Sequence, residues 1–256
     1  MTESKQSYWE DNLDPSNLKR PDGQQKLLDK YLTLIPHENE IRPILHHWEK
    51  DKIIVDLGTG LGQYSIFFAQ QGWRVIGVDI TLARLKQLKQ TLEEQYPGIK
   101  IFLIQARAEA LPFKNKSVGY VFSHSVLIHT QLPKALAEAA RVMQQGGSFI
   151  EPSPYNPFAR LYRRFLAPPE WKEITTYFSK SSIQQVRESF PGERFSLDIQ
   201  RHHFLNFLSY LWYYGRCSPA LFKGFNCLFT IIDRFIFKIF SLQWFWMYEI
   251  QIRRKK

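Results

Sequence analysis

The stretch VDLGTGLGQYS, residues 55–65, sets glycines at 58, 60 and 62, directly after a β-branched run and directly before an apolar one. A chain that turns sharply from strand into helix with a ligand against the turn needs positions without Cβ, because side chains block the approach and φ is free to be positive. Asp56 stands two residues ahead of the first glycine. Asp79 ends the next branched run, RVIGVDI, seventeen residues beyond Gly62. A carboxylate there accepts hydrogen bonds from both hydroxyls of a ribose, which selects an adenosine-type ligand and disfavours a 2′-phosphate. ARAEALPF, residues 106–113, sets Ala108 and Glu109 just past a third such run, a small residue and a polar one fit to border an adenine ring. The glycine spacing is GxGxG. A dinucleotide fingerprint, GxGxxG, wants its third glycine at 63, where this chain has Gln63.

The elements that must hold these residues follow from periodicity. IIVDL (53–57), RVIGVDI (74–80), IFLIQA (101–106), YVFSHS (120–125) and GGSFIEP (146–152) read as buried strands. Helices are expected over about 63–71, over LARLKQLKQTLEEQ with Thr81 as N-cap, and over LPKALAEAARVMQ, ending at Gly146. Strand and helix thus alternate from 53 to 152, the signature of a doubly wound α/β fold with a mostly parallel sheet. Ahead of it, residues 24–48 carry two helical patterns separated by Pro36. Behind it come a helix near 179–190 and two alternating runs, RFSLDIQ (194–200) and MYEIQIR (247–253), read as late strands of the same sheet. The expected organisation is a helical cover over 1–48, a ligand-binding core over 49–155, and over 156–256 the rest of the sheet with a helical, aromatic-rich insertion at about 203–243.

In order and spacing, residues 45–155 resemble a class I S-adenosylmethionine-dependent methyltransferase of the type 11-like kind. VDLGTGLGQYS is similar to that family's first motif, VIGVDIT to its acidic second-strand motif, ARAEALPF to its adenine loop, SHSVLIHT to its fourth-strand motif and RVMQQGGSFIEP to the turn into its fifth strand. The resemblance implies a seven-stranded Rossmann-like sheet and S-adenosyl-L-methionine as cofactor. It implies Gly58, Gly60 and Gly62 against the methionine and ribose portions, Asp79 with Ile80 at the ribose, Ala108 and Glu109 beside adenine, Ser123 near the methionine end, and Asp56 orienting the loop or holding the amino group. Two positions depart from the pattern: Gly119-Tyr120 enters the fourth strand in place of an acid and an aromatic, and Gln144-Gln145 precedes the double glycine in place of Lys-Pro.

Methyl transfer from a sulfonium is an in-line displacement, so alignment and exclusion of water carry most of the task. A hydroxyl acceptor benefits from a general base, for which His129 is the first candidate and His124 the second. Pro154-Tyr155-Asn156-Pro157 has the wrong order and place for a nucleobase-methylating loop and is expected to fix a chain reversal.

Charge and aromatics are unevenly spread. Residues 151–256 hold sixteen Lys and Arg against eight Asp and Glu, and 25 of the 39 aromatic residues. Such a segment suits an anionic partner: a membrane surface, nucleic acid or a phosphate-bearing substrate. As a helix, residues 221–241 gather Lys223, Asn226, Thr230, Asp233, Arg234, Lys238 and Ser241 on a stripe. The apolar remainder is expected to pack on the sheet edge, on a second subunit (a homodimer) or on a membrane interface. The longest uncharged run there, His202 to Gly215, has 14 residues, too few to span a bilayer. The N-terminus carries charge where a secretory signal needs apolar residues, and Cys217 and Cys227 form no metal or disulfide framework, so a cytoplasmic location is expected, with peripheral membrane contact through the 203–243 helix the less favoured alternative to packing on the sheet edge or a second subunit. The leading expectation is methyl transfer, with O-methylation favoured, to a hydrophobic or lipid-linked small molecule and no metal. The alternatives are an RNA methyltransferase, with nucleic acid the less favoured partner, an NAD-dependent oxidoreductase and a non-catalytic binding module.

Overall fold

A computed structural model describes residues 38–165, 174–209, 219–239 and 243–255. The first helical pattern of residues 24–35 lies outside them, as do parts of the 203–243 insertion. In chain order the elements are α1 (Glu38–Leu45), β1 (Ile53–Leu57), α2 (Gln63–Gln70), β2 (Arg74–Asp79), α3 (Leu82–Gln95), β3 (Ile101–Gln105) and β4 (Val118–His124). A 3-10 turn (Leu127–His129), α4 (Leu132–Val142), β5 (Met143–Pro152), α5 (Pro157–Phe165), α6 (Lys180–Ser189), β6 (Phe195–His202), α7 (Pro219–Ile239) and β7 (Met247–Arg254) follow.

The sheet has seven strands in the order β3-β2-β1-β4-β5-β7-β6. Strands β1 to β5 pair in parallel, and β7 runs antiparallel between β5 and β6. Strand β6 is therefore parallel to β5. Side chains alternate across the sheet: Val55, Val121 and Phe149 join one core with Ala135, Leu136, Val186 and Phe190. Ile54, Tyr120, Phe122 and Ile150 join the other with Ile41, Tyr64, Phe68 and Trp73. Burial on both faces is why these strands read as nearly unbroken apolar runs. At the departure from the family pattern, Tyr120 stacks on Trp48 with ring centroids 4.2 Å apart, and its hydroxyl accepts from the Glu49 N–H.

Two expectations are corrected. Helix α4 stops at Val142, not Gly146, because β5 begins at once and runs through the double glycine. A Cβ on Gly146 would lie 2.0 Å from the Ile252 carbonyl oxygen, and one on Gly147 would lie 2.3 Å from that of Val121. Those glycines admit neighbouring strands and do not end a helix. Thr81 occupies the N-cap position of α3 without a side-chain cap bond. The insertion helix α7 is seated by part of its polar stripe together with part of its apolar face: Thr230, Asp233 and Phe222 are buried and Phe237 packs against the core, while Leu221, Leu228, Ile231 and Phe235 are 51–66% exposed. Its Asp233 carboxylate accepts from the N–H groups of Phe204, Leu205 and Asn206 at 2.8–3.0 Å. Such a carboxylate satisfies three backbone donors at once, which an apolar seat cannot do.

Candidate active site

The parallel strands deliver their carboxyl ends to one edge, where open α/β sheets bind ligands. The glycine turn lies there between β1 and α2. Gly58, Gly60 and Gly62 all have positive φ, 67°, 55° and 90°. Their surroundings differ. A Cβ on Gly58 would lie 2.3 Å from Val126 Cγ2, and one on Gly62 would lie 2.2 Å from Leu88 Cδ1. Those two positions are bare so that the chain can pack on itself. At Gly60 the nearest atom is Arg84 Nη1 at 3.5 Å, which leaves this position open.

The turn is tied to β2 by backbone and carboxylate together. Gly58 and Thr59 donate their N–H groups to the Val78 carbonyl oxygen. Asp79 accepts from Gly60 N–H on Oδ2 at 2.8 Å and from Thr81 N–H on Oδ1 at 2.9 Å. Beneath the turn, Ser65 Oγ donates to Asp56 Oδ2 at 2.7 Å. That spends the Ser65 proton, so Thr59 Oγ1, 2.7 Å from Ser65 Oγ, is the donor of the next link. Burial pushes the Asp56 carboxyl up to about 7, opposed by the hydrogen bond from Ser65. Asp56 thus lies under the loop, held to α2.

Ile80 is half-buried beside Asp79, and its carbonyl oxygen accepts from Gln105 Nε2. The Asp79 carbonyl in turn accepts from Ala106 N–H, leading the chain into Arg107–Ala110, which closes on itself by a bridge. Ala108 is half-buried there, and Glu109 Oε1 accepts from Gln131 N–H, joining this loop to the segment after β4.

At the end of β4, Ser123 is buried and donates to Glu151 Oε1 at 2.9 Å. The same carboxylate accepts from the N–H groups of Val126, Leu127 and Ile128. Glu151 therefore anchors the 3-10 turn that carries His129. Burial pushes its carboxyl up to about 7, opposed by the hydrogen bonds from Leu127 and Ser123. Nothing in the sequence reading singled it out. The available signal was one carboxylate inside the apolar run of GGSFIEP, a residue type rarely buried without several donors. His129 is buried, with Nδ1 3.3 Å from the Ile174 carbonyl oxygen. His124, against Tyr64, is pushed down to about 3 by burial and is a neutral ring. Asn156 proves to be a connector: Oδ1 accepts from Ala159 N–H at the start of α5, and Nδ2 donates to the carbonyls of His203 and Phe204. Arg163, also unanticipated, lies over the Tyr177 ring at 3.6 Å and donates to the Ser153 carbonyl.

The structure thus gathers Asp56, the three glycines, Asp79 and Ile80 at the β1–β2 end. It sets Ala108 and Glu109 on the β3 side, and Ser123 and His129 on the β4 side. Among the described residues, no cluster of three or more His, Cys, Asp or Glu side chains has the arrangement of a metal site.

Comparison with known proteins gives this arrangement a context. Residues 55–150 match the family described as Methyltransferase domain. The chain is 27% identical over 168 residues to the sarcosine/dimethylglycine N-methyltransferase of Aphanothece halophytica, covering 64% of this chain and 60% of that one. It is 36% identical over 92 residues to the mitochondrial 2-methoxy-6-polyprenyl-1,4-benzoquinol methylase of Oryza sativa subsp. japonica, covering 36% and 28%. The chain thus spans less than two thirds of the length of these curated relatives. The solved magnesium protoporphyrin IX methyltransferase of Synechocystis PCC 6803, with bound SAH, aligns with a TM-score of 0.58 over 98% of this chain and 100% of that one. At 14% identity this likeness is one of fold.

Proposed function

Residues 55–150 belong to the class I S-adenosylmethionine-dependent methyltransferases, whose cofactor is S-adenosylmethionine, and from that premise we propose that the chain methylates an oxygen of a hydrophobic or lipid-linked small molecule. The observation that carries the cofactor half is the pairing of Asp79 with Gly60. Two bonds occupy only half of the roughly four lone-pair sites of the Asp79 carboxylate, so acceptor capacity remains for ribose hydroxyls. The open Cβ position of Gly60 fits the close approach of such a ligand. In this reading Gly58, Gly60 and Gly62 line the methionine and ribose portions, Ile80, Ala108 and Glu109 border the nucleoside, and Ser123 with Asp56 supports the methionine end.

The cofactor supplies a methyl on a sulfonium, already activated for displacement. The chain's own residues bind, align and exclude water. His129 is the catalytic base of this reading. Its Nδ1 faces a carbonyl oxygen, which only a protonated nitrogen satisfies, so Nε2 is the basic nitrogen that takes the acceptor hydroxyl's proton. The acceptor class rests on the cover: α5 and α7 leave the carboxyl ends of β5 and β6, rich in Phe, Tyr and Arg, and peripheral membrane contact through 203–243 belongs to the same reading. The benzoquinol methylase likeness agrees with a prenylated acceptor.

Isothermal titration tests the cofactor half: S-adenosylhomocysteine binds the parent, and NAD does not. Gly60→Arg and Asp79→Ala weaken that binding by about tenfold or more. A Gly60→Arg chain that binds as tightly as the parent sinks the reading. A cell extract labelled with radioactive methyl tests the acceptor half, with label expected in the lipid fraction. Label in RNA would favour the RNA alternative. S-adenosylhomocysteine binding without label in any fraction would favour the binding module.

A further inference from the structure

Helix α7 buries Phe222 and packs Phe237 on the core, yet it keeps a second apolar stripe exposed. The inner side holds Thr230 and Asp233, with Asn226 beside them, in a hydrogen-bonded cluster with Asn206, Ser209 and the backbone of 204–206. The outer side presents Leu221, Leu228, Ile231 and Phe235, spaced 7, 3 and 4 residues apart, at 57%, 51%, 60% and 66% exposure. Lys223, Arg234 and Lys238, also exposed, flank that stripe along one side. The helix has one acid, Asp233, and it is spent inside.

Helix α5 adds a second exposed apolar patch. Leu161 and Phe165 are 59% and 68% exposed, Phe158 and Tyr162 at 36% and 38% border them while also touching the body, Arg160 and Arg164 are exposed, and the helix has no acid. Both helices rest on the same segment: Phe158 meets Phe204 and Tyr162 meets Phe207 from α5, while Asp233 binds the amides of 204–206 from α7. Trp244, 54% exposed, also packs on Phe204. Both helices follow strands whose carboxyl ends form the active-site edge.

We propose that the outer faces of α5 and α7 form one docking surface for an anionic lipid bilayer, the apolar stripes entering the interface and the basic residues meeting headgroups. The proposal rests on the reading of a lipid-linked acceptor and adds the route by which that acceptor arrives. Charge decides the occupant. An isologous contact between two copies would set Lys223, Arg234 and Lys238 against their own like, with no acid on either exposed stripe to offset them. An anionic surface attracts the same residues, each by about the same modest amount, over a Debye length. No helix of the described residues is long and apolar enough to cross a membrane, so the contact is interfacial.

The test is flotation of the full chain with vesicles of phosphatidylcholine alone or with about 30% phosphatidylserine, a composition that gives the surface its negative potential. Binding is expected to the anionic vesicles, to fall with salt, and to drop about tenfold or more in Ile231→Glu/Phe235→Glu. That double variant, altered only at exposed sites, is expected to bind S-adenosylhomocysteine as the parent does. Absence of binding to anionic vesicles overturns the proposal, and so does a double variant that floats like the parent. Conversion of a dimer into a monomer by those substitutions, seen in sedimentation velocity, overturns it in favour of a second copy. Vesicle binding without cofactor binding would instead sink the methyltransferase reading and leave the surface standing.

Discussion

Helix α4 seats Ala135, Leu136, Ala139 and Val142, all fully buried, on the sheet, whereas α7 adds the polar Thr230 and Asp233 to the apolar Phe222 in its seat and turns Leu221, Leu228, Ile231 and Phe235 outward. An apolar seat stabilises by area removed from water and specifies position weakly. A polar seat specifies position through directional bonds and leaves the apolar side available to something else. The same amphipathic pattern therefore serves the core in one half of the molecule and leaves an apolar stripe exposed in the other. Carboxylates mark the boundary: Asp79, Glu151 and Asp233 each hold a turn by its backbone amides, and the last does so for a whole helix.

The sharpest way to break this contrast is to remove an anchor. Glu151→Ala strands the N–H groups of Val126, Leu127 and Ile128 and the Ser123 hydroxyl, and is expected to cost about 3 kcal/mol or more in urea unfolding. Matched truncations come next: Leu136→Ala in α4 is expected to cost about 3 kcal/mol, and Leu228→Ala in α7 under about 0.5 kcal/mol. Equal costs would mean that α7 is seated like α4. Asp233→Ala is expected to cost about 2 kcal/mol, with Asp233→Asn recovering part, because its three amide donors lose their acceptor. The smallest effect is a pH dependence. Burial raises Glu151 to about 7, so the folded chain keeps a proton that the unfolded chain has already released. The resulting stability is complete below the ordinary carboxylate range and is lost as pH rises through about 7. His124 and His203, held neutral by burial, act oppositely by weakening the fold in acid, so the difference between parent and Glu151→Gln is the quantity to measure. The parent's stability relative to that variant should fall from about pH 5 to about pH 8.

The strands and the glycine turn with Asp79 beside it were legible because their signals are local. A branched run, three glycines and Asp79 at a set distance need no knowledge of what packs where. The double glycine misled because Gly146 and Gly147 look like a helix stop, whereas their reason is the carbonyls of Ile252 and Val121, distant in sequence. A helical wheel of α7 separates its two faces but carries no information on which one the body takes. That choice depends on the amides of residues 204–206, whose need of an acceptor is invisible in a one-letter code. Glu151 escaped notice for the same reason, since its partners lie 23 to 28 residues earlier.

Strand β6 joins the sheet through β7 alone, and β7 slots between two strands made long before it. During synthesis the rim beside β5 must stay open until residues 247–254 are made, so the strand that completes this half of the sheet arrives after both of its neighbours. A nascent chain halted short of that point would carry two bare strand borders, inviting chaperones or aggregation.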